Sequence, residues 1–458
     1  MATTAKSSPS QEDDPWAYPA QEWLVVPAAE QKSSKDGGDE DASLFDSTYY
    51  GVYFYPFSAT VMEYPIFAVV GGDQVIVVRA STERYEVIRR FKDDGFGGKG
   101  LYCACWTRDP KTGDPLLVVG GKSPIIKVLN VKTGKCVRLL TGHNDEVNDM
   151  VRHPINETVI ATTGSDYRII LWSLNPKHKK QPISIIITGI HGHVQNILTL
   201  DFHATGRYLL SGGMDNRINM WVIPEDPAEG AGKENPTRIV RPHFSTNRIH
   251  SNYVDCIKWY HDTILSRAAT ENKIIHWKID GFNSSSPCPS LLSAPIRTSA
   301  TLRDTINYFG CSSYRRIQQF SAPNTIPWYL RFGFLYQPGL HPMIAVGSTD
   351  GKIYFWDMEM LYQFGKCKGK WVGHGENKYP ELEGARSSDD EELMEQTRPK
   401  KKFIKRDNLG NLFGLVNPHH IVKVKGAHAT PFRNVVWSAD GRWCVAVGEG
   451  LQIVVMSR

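Results

Sequence analysis

The chain has 458 residues, of which 41% are hydrophobic and 11% aromatic, so it can bury a large core as one all-β domain or as two to three average domains. Its formal net charge of +5 is too small for this length to argue for nucleic-acid binding. None of its eight cysteines forms a CxxC pair, which excludes a zinc signature or disulfide framework and favours a reducing compartment. Neither a signal peptide nor an apolar run of about 18 residues is present, so a soluble intracellular protein is predicted.

Residues 1–46 are rich in Ser, Ala, Asp, Glu and Gly and contain the tract KDGGDEDAS. Such a composition cannot bury enough apolar surface to fold alone, so we predict a disordered tail. From residue 47 onward the pattern changes to short apolar strands separated by polar turns. The sequence therefore predicts two regions, a tail over 1–46 and a folded domain over 47–458.

The folded region repeats one unit, best formed from Gly189 to Ile223, which opens on Gly192-His193 and closes on Trp221. A Gly-His opening, three strands and an aromatic ending are typical of a WD40 repeat. We count seven such triplets, and their first strands read GVYFYPF (51–57), YCACWTRD (102–109), VNDMVRHP (147–154), ILTLDFHA (197–204), VDCIKWYHD (254–262), YLRFGFLY (329–336) and RNVVWSADG (433–441). The predicted fold class is all-β, a seven-bladed WD40 β-propeller.

Three stretches interrupt the repeat spacing, at about 224–248, 280–325 and 364–428, and are predicted to be partly disordered insertions between blades. The third holds an acidic tract, 388–392, followed by a basic one, 399–406. The last triplet ends at Arg458 and leaves no room for another strand. We therefore predict that the end of the tail, before Tyr49, supplies the outer strand of blade 7 and latches the ring.

Enzymatic motifs do not stand out from background in this sequence. The glycine-rich run 95–100 lacks the spacing of a phosphate-binding loop and is better explained as a turn entering blade 2. His191 and His193 resemble a metal pair, but the simpler interpretation is that His193 hydrogen-bonds within its own blade, supported by Asp215. No catalytic residue, metal or cofactor is predicted.

A sharper signal comes from the residue at the start of each inner strand, four positions before its central residue. In a propeller this position lies on the top rim of the central channel. Across blades 1 to 7 the rim residues are Tyr50, Tyr102, Asn148, Leu198, Asp255, Trp328 (followed by Tyr329) and Arg433. The aromatic residues fall on blades 6, 1 and 2, which together with blade 7 are contiguous around the ring.

Aromatic rings that converge from neighbouring blades form a box for a cation such as a methylated lysine. The competing interpretation is ordinary core packing of aromatic residues near blade starts. Arg433 and Asp255 lie on the same predicted rim. They either orient a bound peptide or are simply solvated.

The runs HSNYVDCIKWYHDTILSRAATENKIIHWK (250–278), WYLRF (328–332) and the stretch 101–149 resemble the extra sex combs family, whose vertebrate member is embryonic ectoderm development (EED). The resemblance covers about 48–362 and 428–458. Tyr50 departs from it, because the family usually has Phe there, and the insertions at 280–325 and 364–428 are longer than is familiar. The resemblance therefore indicates a divergent, fungal-type member.

The resemblance implies a non-catalytic WD40 subunit of Polycomb repressive complex 2, located in the nucleus and supporting transcriptional repression. It implies a top-face cage for trimethyl-lysine of the histone H3 tail, made of Tyr50, Tyr102 and Tyr329, with Trp328 packing on the lysine stem. The expected partners are a Suppressor-of-zeste-type subunit and an Enhancer-of-zeste-type methyltransferase. A helix of the methyltransferase would lie in a groove on the opposite face, and the enzyme would be stimulated when peptide binds.

Two points stay open at the level of sequence. A different WD40 scaffold, such as the substrate receptor of a ubiquitin ligase, is the alternative function, with the aromatic residues merely structural. The basic tract 399–406 is a nuclear localisation signal, a weak nucleic-acid contact or a solvated loop.

Overall fold

The computed structural model describes residues 18–25, 48–57, 64–80, 85–92, 100–189, 191–296, 305–310, 313–359, 414–425 and 430–458. The described residues form seven sheets arranged as a propeller, which confirms the predicted fold class. None of the helical segments among them has the length and hydropathy of a membrane span. The tracts 388–392 and 399–406 and most of the run 95–100 lie outside the described residues.

Each blade is built outward from the channel by successive strands. Among the described connections between strands there are two short 3-10 helices, Pro176–His178 and Leu291–Ser293. The strands of blades 1 to 3 are Tyr49–Phe54, Ile66–Gly71, Gln74–Ala80 and Tyr85–Lys92; Leu101–Arg108, Pro115–Gly121, Ile126–Asn130 and Lys135–Leu140; and Val147–Arg152, Val159–Gly164, Ile169–Ser173, Ile183–Ile187 and Thr237–Ile239. Those of blades 4 and 5 are Ile197–Phe202, Tyr208–Gly213, Ile218–Val222, Phe244–Thr246 and Ile306–Asn307; and Val254–Tyr260, Thr263–Ala268, Lys273–Ile279, Tyr314–Ser321 and Leu415–Val416. Those of blades 6 and 7 are Gly333–Leu335, Met343–Gly347, Lys352–Asp357 and His420–Lys423; and Phe432–Trp437, Trp443–Gly448, Ile453–Ser457 and Ala20–Val25.

The core lies between neighbouring blades, because the middle strands are buried on both faces. In blade 4, Leu209 packs towards blade 3 while the next residue, Leu210, packs towards blade 5. Successive side chains of a strand point to opposite faces, so two buried faces require continuous apolar runs. One such cluster joins blade 7 to blade 1 through Val445 and Val69, which closes the ring.

The outer strand of blade 7 comes from the first described segment of the chain. Ala20–Val25 pairs antiparallel with Ile453–Ser457, so the two ends of the described chain share one sheet. Just inside this contact, Thr48 forms an antiparallel bridge with Glu449 as the chain enters blade 1. Blade 7 is therefore held by hydrogen bonds between segments at opposite ends of the sequence.

The stretches that interrupt the repeat spacing contribute strands to the outer edges of the ring. Residues 224–248 supply Phe244–Thr246 to blade 4 and Thr237–Ile239, which pairs parallel with blade 3. Residues 280–325 supply Tyr314–Ser321 to blade 5, and Ile306–Asn307 extends blade 4. The described end of 364–428 adds Leu415–Val416 to blade 5. These segments thus link one blade to the next around the outside.

His193 makes the intrablade contacts that the repeat pattern predicts. Its Nδ1 lies 2.9 Å from the Asp215 carboxylate and its Nε2 lies 2.8 Å from Ser211 Oγ. The Trp221 indole N–H donates to the same Ser211 hydroxyl at 2.8 Å. The structure therefore confirms the structural interpretation of His193. Within the described residues no group of His, Cys, Asp and Glu has the arrangement of a metal site.

In blade 5 the matching contact joins His250 and Glu271, and it makes the stability of the fold depend on pH. Burial alone would raise the pKa of Glu271, but His250 and the Ser251 donors lower it from 4.5 to about 2. A carboxyl group whose pKa is lower in the folded state stabilises the fold above its unfolded pKa and loses that effect as the pH falls. We expect the gap in unfolding free energy between the wild type and Glu271→Gln to shrink as the pH falls from about 4.5 to about 2.

Denaturant unfolding of both proteins across this pH range measures the gap. The matched control is Glu225→Gln, because the Glu225 side chain is 93% exposed. A gap between wild type and Glu271→Gln that stayed constant over the whole range would contradict the role assigned to Glu271.

Candidate functional site

Three tyrosines from three different blades meet at the top of the central channel. The ring centroids of Tyr50 and Tyr102 are 5.4 Å apart, those of Tyr50 and Tyr329 5.6 Å, and those of Tyr102 and Tyr329 6.1 Å. The rings meet at steep angles between 63° and 82°. One point can lie within about 6 Å of all three centroids, which is the range of a cation–π contact. We call these three side chains together with Trp328 the aromatic cluster.

Trp328 forms the exposed wall of the aromatic cluster. Its side chain is 47% exposed, and its ring centroid lies 5.9 Å from that of Tyr329. Arg433 fixes the backbone at this point, because its guanidinium donates to the carbonyl oxygen of Trp328 at 2.9 Å and pairs with Glu449. An exposed indole beside three more deeply placed rings provides an apolar surface for an alkyl chain that enters the cluster.

Tyr329 has an unusual backbone for an aromatic residue, with a φ of +59°. This left-handed conformation is unfavourable for a bulky side chain, and such residues are concentrated at functional sites. The conformation sends the side chain across the channel entrance, where its hydroxyl donates to the carbonyl oxygen of Asn148 at 2.6 Å. Blade 6 thereby places a ring next to the rings of blades 1 and 2.

All three tyrosines are neutral phenols near physiological pH. Burial raises the pKa of Tyr50 and of Tyr102 above the ordinary value of 10, and it raises the pKa of Tyr329 well above that value. Neutral rings attract a cation through the negative charge of their faces rather than through a formal charge. The aromatic cluster can therefore bind a cation that carries little hydration.

Asp255 is not on the exposed rim, which corrects the prediction that it orients a peptide or is solvated. Its side chain is completely buried and forms an ion pair with the equally buried Arg267. Arg267 also donates to the carbonyl oxygens of Pro327 and Leu330, each at 2.9 Å, and to that of Thr325. The pair thus holds the loop 325–330, which carries two members of the aromatic cluster.

Arg331 lies directly beneath the aromatic cluster, with its guanidinium carbon 4.7 Å from the centroid of the Tyr329 ring. It crosses the channel to blades 3 and 4, where it pairs with Asp149 at 2.6 Å and donates to the carbonyl oxygens of Asn148 and Leu198. Burial alone would lower the pKa of Arg331, but the Asp149 carboxylate raises it well above its ordinary value. The floor of the cluster is therefore a charged but internally paired layer.

Comparison with known proteins identifies relatives of this chain. The WD domain, G-beta repeat family model matches residues 134–173 and 184–222. The chain is 35% identical to Polycomb protein EED from Chaetomium thermophilum over 373 residues, which is 78% of this chain and 64% of that protein. In the solved structure of a humanized mutant of the Chaetomium thermophilum Polycomb Repressive Complex 2 bound to the inhibitor GSK343, one chain is 31% identical, with a TM-score of 0.82. The alignment covers 97% of this chain and 98% of that one.

This chain belongs to the EED family of Polycomb proteins.

A second solved structure, of ctPRC2 in complex with H3K27me3 and H3K27M, contains a chain with 30% identity and a TM-score of 0.79 to this EED-family protein. That alignment covers 97% of this chain and 98% of the other. The curated Chaetomium thermophilum relative is longer, and this chain spans about 64% of its length.

The structure of this EED-family member brings Tyr50, Tyr102, Trp328 and Tyr329 together as one group and sets Arg433 against their edge. Sequence reasoning missed Asp149, Arg267 and Arg331. Arg331 stood inside the specific WYLRF run (328–332), which was the available signal. Arg267 stands where the second strands of the other blades have small or apolar residues, which was its signal, whereas nothing in the pattern distinguishes Asp149 from a solvated charge.

Proposed function

We propose that this protein is a non-catalytic histone-mark reader and scaffold subunit of a Polycomb-type histone H3 lysine methyltransferase complex. In this proposal the aromatic cluster binds trimethyl-lysine of the H3 tail, with Tyr50, Tyr102 and Tyr329 around the ammonium group and Trp328 along the lysine stem. Peptide binding would stimulate the methyltransferase subunit and so support gene silencing in the nucleus. The observation that carries the proposal is the meeting of three neutral rings from blades 6, 1 and 2.

The chemistry of the ligand follows from hydration. A trimethylammonium group keeps its charge but has no N–H, so it gives up little water on entering the cluster, whereas an unmethylated ammonium loses strong hydrogen bonds. Each ring contributes about 0.5–2 kcal/mol. Three rings therefore supply only a few kcal/mol, which corresponds to roughly millimolar affinity. Additional contacts along the peptide backbone must raise the affinity to the micromolar range.

The scaffold part of the proposal is supported by the relatives. The matched solved chains belong to structures of Polycomb repressive complex 2, and one of these contains H3K27me3. We infer an Enhancer-of-zeste-type methyltransferase, with a helix in the bottom-face groove, and a Suppressor-of-zeste-type subunit as partners. These relatives are the reason for preferring a Polycomb scaffold to a ubiquitin-ligase receptor.

Calorimetric titration with a trimethyl-lysine H3 peptide tests the reader function. We expect a micromolar Kd, quenching of tryptophan fluorescence through the exposed Trp328, and much weaker binding of the unmethylated peptide. Equal affinity for both peptides would refute the reader function. Co-purification with the methyltransferase tests the scaffold function separately, and recovery of ligase adaptors without a methyltransferase would favour the alternative.

Replacing Arg433 by methionine is expected to weaken trimethyl-lysine peptide binding about three- to tenfold, because Trp328 loses the donor that fixes its backbone. Calorimetry measures the change in Kd. Arg442→Met, a similar substitution at an exposed arginine of the same blade, is the control and should leave the Kd unaltered. An unchanged Kd in Arg433→Met would show that the Trp328 wall does not depend on this contact.

A further inference from the structure

The carboxylate of Asp149 lies beneath the aromatic cluster, with one side chain between them, and both of its oxygens accept hydrogen bonds from other groups of the protein. Asp149 is 3% exposed. Its Oδ1 accepts from Arg331 at 2.6 Å and from the Met150 backbone N–H at 2.9 Å, and its Oδ2 accepts from the Leu200 N–H at 2.8 Å. Asp149 therefore has a full negative charge close to the cluster and three donors that compensate it.

Arg331 separates this carboxylate from the cluster. Its guanidinium stacks on the Tyr329 ring at 4.7 Å while its Nη1 pairs with Asp149. Its backbone N–H donates to the carbonyl oxygen of Arg433 at 2.7 Å, so its backbone is anchored to the inner strand of blade 7 while its side chain reaches the opposite wall of the channel. The side chain of Arg331 is held by the ion pair, by the stacking contact and by the hydrogen bonds from Nη2 to the carbonyl oxygens of Asn148 and Leu198.

The pairing of Asp149 bears on which cations the cluster can attract. A carboxylate next to an aromatic cage accepts a charge-assisted hydrogen bond from an ammonium N–H, directly or through one water. Unmethylated, monomethylated and dimethylated lysine carry such N–H groups, and trimethylated lysine has none. A carboxylate that is fully paired offers them nothing and leaves the rings as the main attraction.

We propose that Arg331 is a specificity-determining residue, which restricts the cluster to trimethyl-lysine by keeping Asp149 paired beneath the Tyr329 ring. This inference rests on the proposed reader function and adds to it the cause of methylation-state specificity. A structural role alone would make any break in the ion pair equally harmful to all peptides. A role in specificity instead predicts that replacing Arg331 weakens the preference for trimethyl-lysine, whereas replacing Asp149 does not.

The test compares Arg331→Met with Asp149→Asn, using H3 peptides that carry either monomethyl-lysine or trimethyl-lysine. The quantity measured is the Kd for the monomethyl peptide divided by the Kd for the trimethyl peptide. Arg331→Met uncovers the carboxylate, so we expect this ratio to fall at least about tenfold. Asp149→Asn leaves an uncompensated cation below the cluster, so trimethyl binding should weaken while the ratio is kept or rises.

The double variant with both substitutions removes both charges and should restore the wild-type ratio. Lys258→Met is the matched control, because Lys258 forms a similar pair with Asp201 between blades 4 and 5 and should not change the ratio. A ratio that falls in both single variants, or in neither, overturns the inference. If Arg331→Met does not fold, Asp149→Asn decides alone, since a lower ratio there contradicts the inference. A wild type that binds no methylated peptide would instead refute the reader function itself.

Discussion

Replacing Tyr329 by alanine is expected to abolish detectable binding of a trimethyl-lysine H3 peptide, a loss of at least about 2 kcal/mol. The substitution removes the ring that faces both Tyr50 and Tyr102 and the hydroxyl that reaches Asn148 across the channel. Tyr102→Ala should have a similar effect, because it removes a second wall. Calorimetric titration of both variants measures the loss.

Two controls show whether the ring itself is responsible. Tyr329→Phe keeps the ring and loses only the hydroxyl contact, so most of the affinity should remain. Tyr85→Ala removes an exposed tyrosine from the outer strand of blade 1 and should not alter binding. Tight binding that survives both Tyr102→Ala and Tyr329→Ala would refute the assignment of the aromatic cluster, provided thermal unfolding shows both variants to be folded.

Replacing Arg267 by methionine is expected to destabilise the protein by about 3–5 kcal/mol, because it leaves the buried carboxylate of Asp255 without its counterion. The carbonyl oxygens of the loop 325–330 also lose their donors. Peptide binding should therefore weaken even at temperatures where the variant remains folded. Denaturant unfolding measures the first effect and calorimetry the second.

The double variant Asp255→Asn with Arg267→Met separates the charge from the loop contacts. It removes the uncompensated charge, so part of the lost stability should return. The loop still lacks its donors, so the peptide affinity should stay low. A double variant that regains full peptide affinity would show that the loop does not depend on Arg267.

The sequence predicted the ring because a propeller repeats one local pattern, and a repeated pattern can be aligned with itself. The alignment also placed Tyr50 and Tyr102 at equivalent positions on neighbouring blades. The same alignment wrongly predicted that Asp255 lies on the exposed rim. The position of a residue along a strand does not show whether another side chain buries it. The partner, Arg267, is on the next strand of the same blade and occupies a position where other blades have small or apolar residues.

The ion pair beneath the aromatic cluster could not be predicted in this way. Arg331 and Asp149 lie in different blades, and their contact depends on how the ring closes. The left-handed backbone of Tyr329 was equally hidden, because no glycine or asparagine marks the position. The edge strand Leu415–Val416 contains only two residues, which is too short for any periodicity to indicate a strand.

The pairing of Ala20–Val25 with Ile453–Ser457 has a consequence for biosynthesis. The first of these strands leaves the ribosome hundreds of residues before the second is made. Blades 1 to 6 can form while translation continues, but the sheet of blade 7 cannot be completed until Ile453–Ser457 has emerged. Contacts so distant in sequence form slowly, and the unpaired edges exposed meanwhile favour aggregation. A chaperone that shields these edges would have to act until Ile453–Ser457 has emerged and paired with Ala20–Val25.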